Sequence, residues 1–167
     1  MAVSRQTRSI SWSAPADVRV AVAGMDVAGY LNAVARGEVP NSPAIELLGM
    51  RLLRFGEGSA EVSFQPEEYH VNFVGAVHGG VISAVLDSCV GYAVNTTLGR
   101  DEAFVTSQLN VQFIRGIRTG AESLVAPARL RHRGGRLAAA EASLEDAAGT
   151  LYATATATCM ILAQRVT

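Results

Sequence analysis

The sequence predicts an α+β domain in which a curved antiparallel sheet of about six strands wraps around one long central helix. Three observations carry this. A run from Gly79 to about Leu98 is too long for a strand, is bounded by glycines and consists largely of small and apolar residues. Strand-like segments stand on both sides of it, separated by turn residues. Their order, a hairpin, then the helix, then four strands read as a meander, leaves one core for 167 residues, the size of a single domain.

Residues 1–25 show no sustained periodicity and read as a flexible N-terminal extension, which leaves 26–167 as the domain. Asp26 can cap a short helix whose apolar residues Val27, Tyr30, Leu31 and Val34 keep i, i+3, i+4, i+7 spacing, with Gly37 as its stop. Ser42-Pro43 offers a second N-cap with proline at the first helical position, and Gly49 ends that turn. MRLLRF, the turn GEG and SAEVSF form a hairpin, and QPEEYHVNFVGAV is a loop into the glycine pair. The small residues of the central run (Gly80, Ser83, Ala84, Ser88, Gly91) suit a helix packed closely on several sides. After Gly99 come AFVTSQLNVQFI, SLVAPARLRHR, RLAAAEASLE and TLYATATATCMIL, divided by RGIRTG, a glycine pair and DAAG. The last strand alternates strictly, with Tyr152, Thr154, Thr156 and Thr158 on one face and Ala153, Ala155, Ala157 and Cys159 on the other. Its small face expects a close neighbour, the long helix.

Fourteen basic against fifteen acidic residues give no nucleic-acid footprint. Cys89 and Cys159 lack metal spacing and read as reduced core thiols. His70 and His78 have no nearby carboxylate or cysteine to complete a tetrahedral set, so no metal is expected. The N-terminus has no continuous apolar core of a secretory signal, and the uncharged stretch from Tyr69 to Leu86 holds two histidines, Asn72 and several glycines, a poor membrane span. The expectation is a soluble, cytoplasmic protein without membrane or nucleic-acid partners.

One residue does not fit a plain core helix. Asp87 is the only formal charge between Glu68 and Arg100. It follows Asn72-x-x-Gly75-x-x-His78-Gly79-Gly80, and the segment NFVGAVHGGVISAVLD resembles the signature of the PaaI-like, phenylacetate-pathway type of hotdog-fold acyl-CoA thioesterases. The resemblance spans about residues 43–162, with PAIELLGMRLLRFGEGSAEVSF upstream and VTSQLNVQFIRGIRTG downstream. It implies hydrolysis of an acyl-CoA to free acid and CoA, with no metal or redox cofactor. Asp87 would be nucleophile or general base, and the Gly79 N–H an oxyanion donor at a helix start. His78 and Asn72 would orient the thioester or its loop, and Thr106 on the following strand would position water. Arg129, Arg131, His132, Arg133 and Arg136 around the second glycine pair form the densest basic run, either a solvated hairpin or, through Arg131, Arg133, Gly134 and Arg136 together with Gly80, a contact to coenzyme A.

Spacing adds a constraint of its own. Gly79 and Asp87 are eight residues apart, about 12 Å along one helix at ~1.5 Å per residue, so one chain cannot bring both to one carbonyl carbon. Two helices packed antiparallel about a two-fold axis can. The resemblance implies such a homodimer with shared sites, and pairing of dimers into a homotetramer. Two other readings share the scaffold: an acyl-CoA binder or sensor without catalysis, and a hydratase or dehydratase.

Overall fold

The computed structural model describes residues 3–163; the outermost ends of the expected extension and domain, residues 1–2 and 164–167, lie outside the described residues. Three short helices come first, α1 (Pro15–Ala21), α2 (Val27–Ala35) and α3 (Pro43–Leu47), then the hairpin β1 (Met50–Gly56) and β2 (Ser59–Phe64). The long helix α4 (Gly79–Asn95) follows, and β3 (Glu102–Phe113), β4 (Leu124–Arg133), β5 (Leu137–Glu145) and β6 (Leu151–Ala163) complete the chain. The structure is the expected α+β arrangement, one antiparallel six-stranded sheet with α4 on its inner face.

Local chemistry explains the element ends. Asp26 caps α2 by accepting the Gly29 N–H at 2.7 Å, and Gly37 leaves it at φ 72°. Pro43 opens α3 as expected, but the Ser42 hydroxyl accepts no helical N–H. The α1 helix stands where the sequence shows no periodicity; it buries none of its residues, so it leaves no apolar stripe to read. Ahead of it, Arg8 lies over the Tyr69 ring at 3.9 Å and donates to the Leu47 carbonyl at 3.1 Å.

The strand order corrects the expected four-strand meander. The sheet runs β1-β2-β4-β5-β6-β3, so only β4 to β6 meander, while β3 lies on the far edge against β6 and β4 fills the place beside β2. The chain crosses back from β3 to β4 over residues 114–123. Ile114 and Arg115 N–H groups meet the Tyr152 carbonyl there, and Val77 N–H meets Ile117 O at 2.8 Å. Local alternation marks a strand but not its neighbour, because pairing is decided by which edge needs covering.

The core forms where alanine-rich strands meet α4. Ala126 and Ala128 on β4, Ala138, Ala140 and Ala142 on β5, and Ala153, Ala155, Ala157 and Cys159 on β6 are all buried, as are Val85, Leu86, Cys89 and Val90 on the helix. Small residues on the sheet leave room for the helix backbone to approach. Cys89 donates to the Ala126 carbonyl, and burial pushes its thiol up to about 12, so it packs as an inert core group. The less buried stripe of α4 carries Gly80, Ser83, Ala84, Asp87 and Ser88. Past Ser88 the stripe ends, and residues 89–94 are all buried.

Candidate active site

Asp87 opens on a cleft of about 210 Å³ that follows α4 toward its C-terminal end. Its floor is Gly91 and Phe104, whose ring lies 3.1 Å from where a Gly91 Cβ would stand; a side chain there would crowd the ring. Asn95 stands at the far end. Thr106 flanks the near end, its hydroxyl 4.0 Å from Cys159 Sγ. A bulge at Ser107 re-aims this part of β3: Thr106 pairs with Cys159, Gln108 pairs with Thr158, and the Ser107 hydroxyl turns to the Thr158 carbonyl at 2.9 Å. A larger hollow of about 700 Å³ between the end of α2 and β1 contains no unpartnered buried titratable group among the described residues, so the smaller cleft is the candidate.

The Asp87 carboxylate is poorly satisfied. Its Oδ1 is buried and has no hydrogen-bond partner among the described residues. Ser83 and Ser88 could have satisfied it, but each donates to the helix carbonyl four residues back, Gly79 O at 2.9 Å and Ala84 O at 2.7 Å. Buried polar atoms nearly always find a partner, so an orphaned carboxylate oxygen on a residue that lines a cleft makes Asp87 the candidate for contact with a ligand.

His78, Gly79, Gly80 and Asn72 gather at the other end of the same helix segment. His78 is the N-cap of α4, its Nδ1 accepting the Gly80 N–H at 2.9 Å and its carbonyl the Val81 and Ile82 N–H groups. The Gly79 N–H has no acceptor among the described residues, and the Phe113 ring covers the spot where a side chain would stand. Asn72 closes the preceding turn, its Oδ1 accepting from Val74 N at 3.0 Å and Ala76 N at 3.3 Å. Since α4 is one continuous helix, the two groups, Asp87 with Thr106 and His78 with Gly79, stay apart within the chain.

Behind the loop, His70 is buried. Its Nδ1 accepts the Glu67 N–H, its Nε2 has no partner, and burial holds its pKa below the ordinary imidazole value, helped by Arg8 and opposed by Glu67.

The basic run is dispersed rather than clustered. Arg131 pairs with Glu141 at 3.0 Å, as Arg129 does at 2.9 Å. Arg133 pairs with Glu102 and donates to the Gly134 carbonyl. The exposed Arg136 side chain has no partner among the described residues. No group of three or more His, Cys, Asp or Glu among them is placed to hold a metal, and none of their helices is long and apolar enough to cross a membrane.

The sequence reading missed one wall of the cleft. Tyr30, Asn41, Ser42 and Ile45, from α2, its connection and α3, close its side, the first three outside the family resemblance. The Tyr92 hydroxyl donates to Asn41 Oδ1 at 2.6 Å and ties this wall to α4; burial raises the Tyr92 pKa. A tyrosine on the apolar face of an amphipathic helix, as Tyr30 is, was the available signal, since its hydroxyl must end at a polar or wet place.

The model of the thioesterase superfamily matches residues 74–153, from the glycine turn ahead of α4 into β6. A curated Pseudomonas aeruginosa protein, PA0474, named provisionally as an esterase, is 31% identical over 107 residues, covering 64% of this chain and 79% of its own. The solved structure of a phenylacetic acid degradation-related protein from Ralstonia eutropha JMP134 is 34% identical with a TM-score of 0.71, over 78% of this chain and 98% of that one. A thioesterase-fold protein of Streptococcus pneumoniae TIGR4, solved with coenzyme A, has a TM-score of 0.63 at 19% identity, over 70% and 88% of the two chains; it matches in fold alone. With its sheet, its α4 motif and these matches in agreement, the chain belongs to the thioesterase superfamily, as a PaaI-like thioester hydrolase of the hotdog fold.

Proposed function

We propose that the protein hydrolyses an acyl-CoA to the free acid and coenzyme A, using two identical sites shared between the subunits of a homodimer. The unsatisfied Asp87 Oδ1 in its cleft carries this reading. The carboxylate either attacks the thioester carbonyl, expelling the CoA thiolate and leaving an anhydride that water opens, or takes a proton from water as the water attacks. In both routes the carbonyl oxygen gains negative charge, which the partner's Gly79 N–H stabilises at the positive end of its helix. His78 accepts at Nδ1, so its neutral ring carries the proton on Nε2 and presents a donor to the thioester. Thr106 supplies a hydroxyl beside Asp87 that positions water.

Coenzyme A enters and leaves with the substrate, and the chemistry requires no metal or redox group. The coenzyme A bound to the Streptococcus pneumoniae protein of the same fold supports this handle, and Arg136 is the residue of the basic run available to a phosphate. The second copy is supported by the length of α4, which separates Gly79 from Asp87 by about 12 Å. The outer strand β3 also keeps an unpaired edge, with Val105 and Phe113 exposed along it.

Thiol release from an acyl-CoA panel tests the reading. Asp87→Asn keeps the side-chain shape and is expected to lower kcat by at least about 10²-fold, the lower range for removing a general base, with an unchanged circular dichroism spectrum. Turnover equal to wild type would remove Asp87 from the mechanism.

A further inference from the structure

Two large apolar side chains have no part in the chemistry above. Phe73 is fully exposed and Val74 is 86% exposed, at the tip of the loop before α4. The tip is not a slack segment: Asn72 Oδ1 accepts two of its N–H groups, Asn72 N–H meets Ala76 O at 2.8 Å, and Gly75 turns the chain at φ 78°. A rigid turn that holds an aromatic and a valine in water is shaped to meet an apolar surface.

Chain direction identifies the surface. If Gly79 of a second copy stands at Asp87, its α4 runs antiparallel, toward residue 79 of the first. The residues ahead of that Gly79 must then lie on the opposite side of Asp87, toward Gly91 and Asn95. The cleft extends the same way, open above Phe104 and Ile45. Asn95 is eight positions from Asp87, about 12 Å along α4, and the five residues between Phe73 and Gly79 are enough chain to bring the tip over this stretch.

We propose that the Phe73–Val74 tip of each subunit roofs the Asp87 cleft of the other, clamping an apolar acyl group against Ile45 and Phe104 and so setting acyl selectivity in trans. The inference rests on the shared-site reading. Each cleft is incomplete in one chain, and the exposed tip is the missing wall.

Acetyl-, octanoyl- and arylacetyl-CoA separate this from the catalytic reading. Phe73→Ala should lower the ratio of kcat/KM for octanoyl- or arylacetyl-CoA over acetyl-CoA by about 10-fold, the scale of a lost apolar contact with substrate. An unchanged ratio overturns the proposal, and if Asp87→Ala is inactive the hydrolase reading still stands. Should Phe73→Ala dissociate the dimer, Phe73→Leu keeps an apolar contact and must still shift the ratio; an unchanged ratio there also overturns it.

Mixed dimers, purified through two tags, then locate the contact. Pairing an Asp87→Ala chain with a Phe73→Ala chain places both substitutions in one shared site and neither in the other. Half the wild-type rate with the wild-type ratio is expected. The lowered ratio would mean that Phe73 acts within its own chain, contrary to the proposal. An Asp87→Ala homodimer that turns over normally would overturn the shared-site reading, and this inference with it.

Discussion

At Gly91 one hydrogen atom separates two outcomes. A Cβ there would come within 3.1 Å of the Phe104 ring, which borders the cleft and so has an open side. Alanine gains about 1 kcal/mol over glycine inside a helix, while overpacking a core costs about 1–3 kcal/mol. Because the ring has an open side, the two effects should nearly cancel. Gly91→Ala is expected to change stability by less than about 1 kcal/mol in urea unfolding, yet lower kcat/KM several-fold as the ring narrows the cleft. A large stability loss with normal turnover would show that Phe104 has no room to move. Glycine at this position is legible in the sequence only as a small residue; the ring it admits comes from a strand thirteen positions later.

At the scale of elements, the loop between β2 and α4 ties the fold to the site. His70 is its buried anchor, accepting the Glu67 N–H through its ring and the His78 N–H through its carbonyl. Its folded pKa lies below the unfolded value of about 6.5, because burial and Arg8 outweigh Glu67. Between the two values the unfolded chain binds more protons, so this contribution is complete above the unfolded pKa and is lost as pH falls through the folded one. Stability should therefore drop from pH 7.5 to 5.5, and His70→Asn, which keeps an acceptor without titrating, should flatten the drop. Equal slopes for the two proteins would assign the pH dependence elsewhere.

For the whole molecule, the proposed shared site makes assembly the thing to test, because one continuous helix separates Gly79 from Asp87. If Gly79 of one subunit meets Asp87 of the other, Ser83, midway between them, stands at the crossing of the two helices. It belongs to the small, less buried stripe, and its own hydroxyl is already turned inward to Gly79 O. Ser83→Arg is expected to give a monomer in sedimentation, with preserved circular dichroism and no thiol release. A monomeric variant with normal turnover would show that one chain suffices.

Most of the elements were legible in local pattern alone. Asp26, Pro43, the glycine pair after His78 and the alternation of β6 act through neighbours a few residues away, so periodicity and turn chemistry reveal them. An isolated charge in an apolar helix, read with its preceding motif, likewise marked Asp87. The place of β3 on the far edge, the turning of Ser83 and Ser88 to helix carbonyls, and the wall that Tyr30, Asn41 and Ile45 give the Asp87 cleft emerge in the folded chain alone. Those outcomes depend on residues distant in the chain competing for the same edge, hydrogen bond or volume, and no local pattern records which competitor wins.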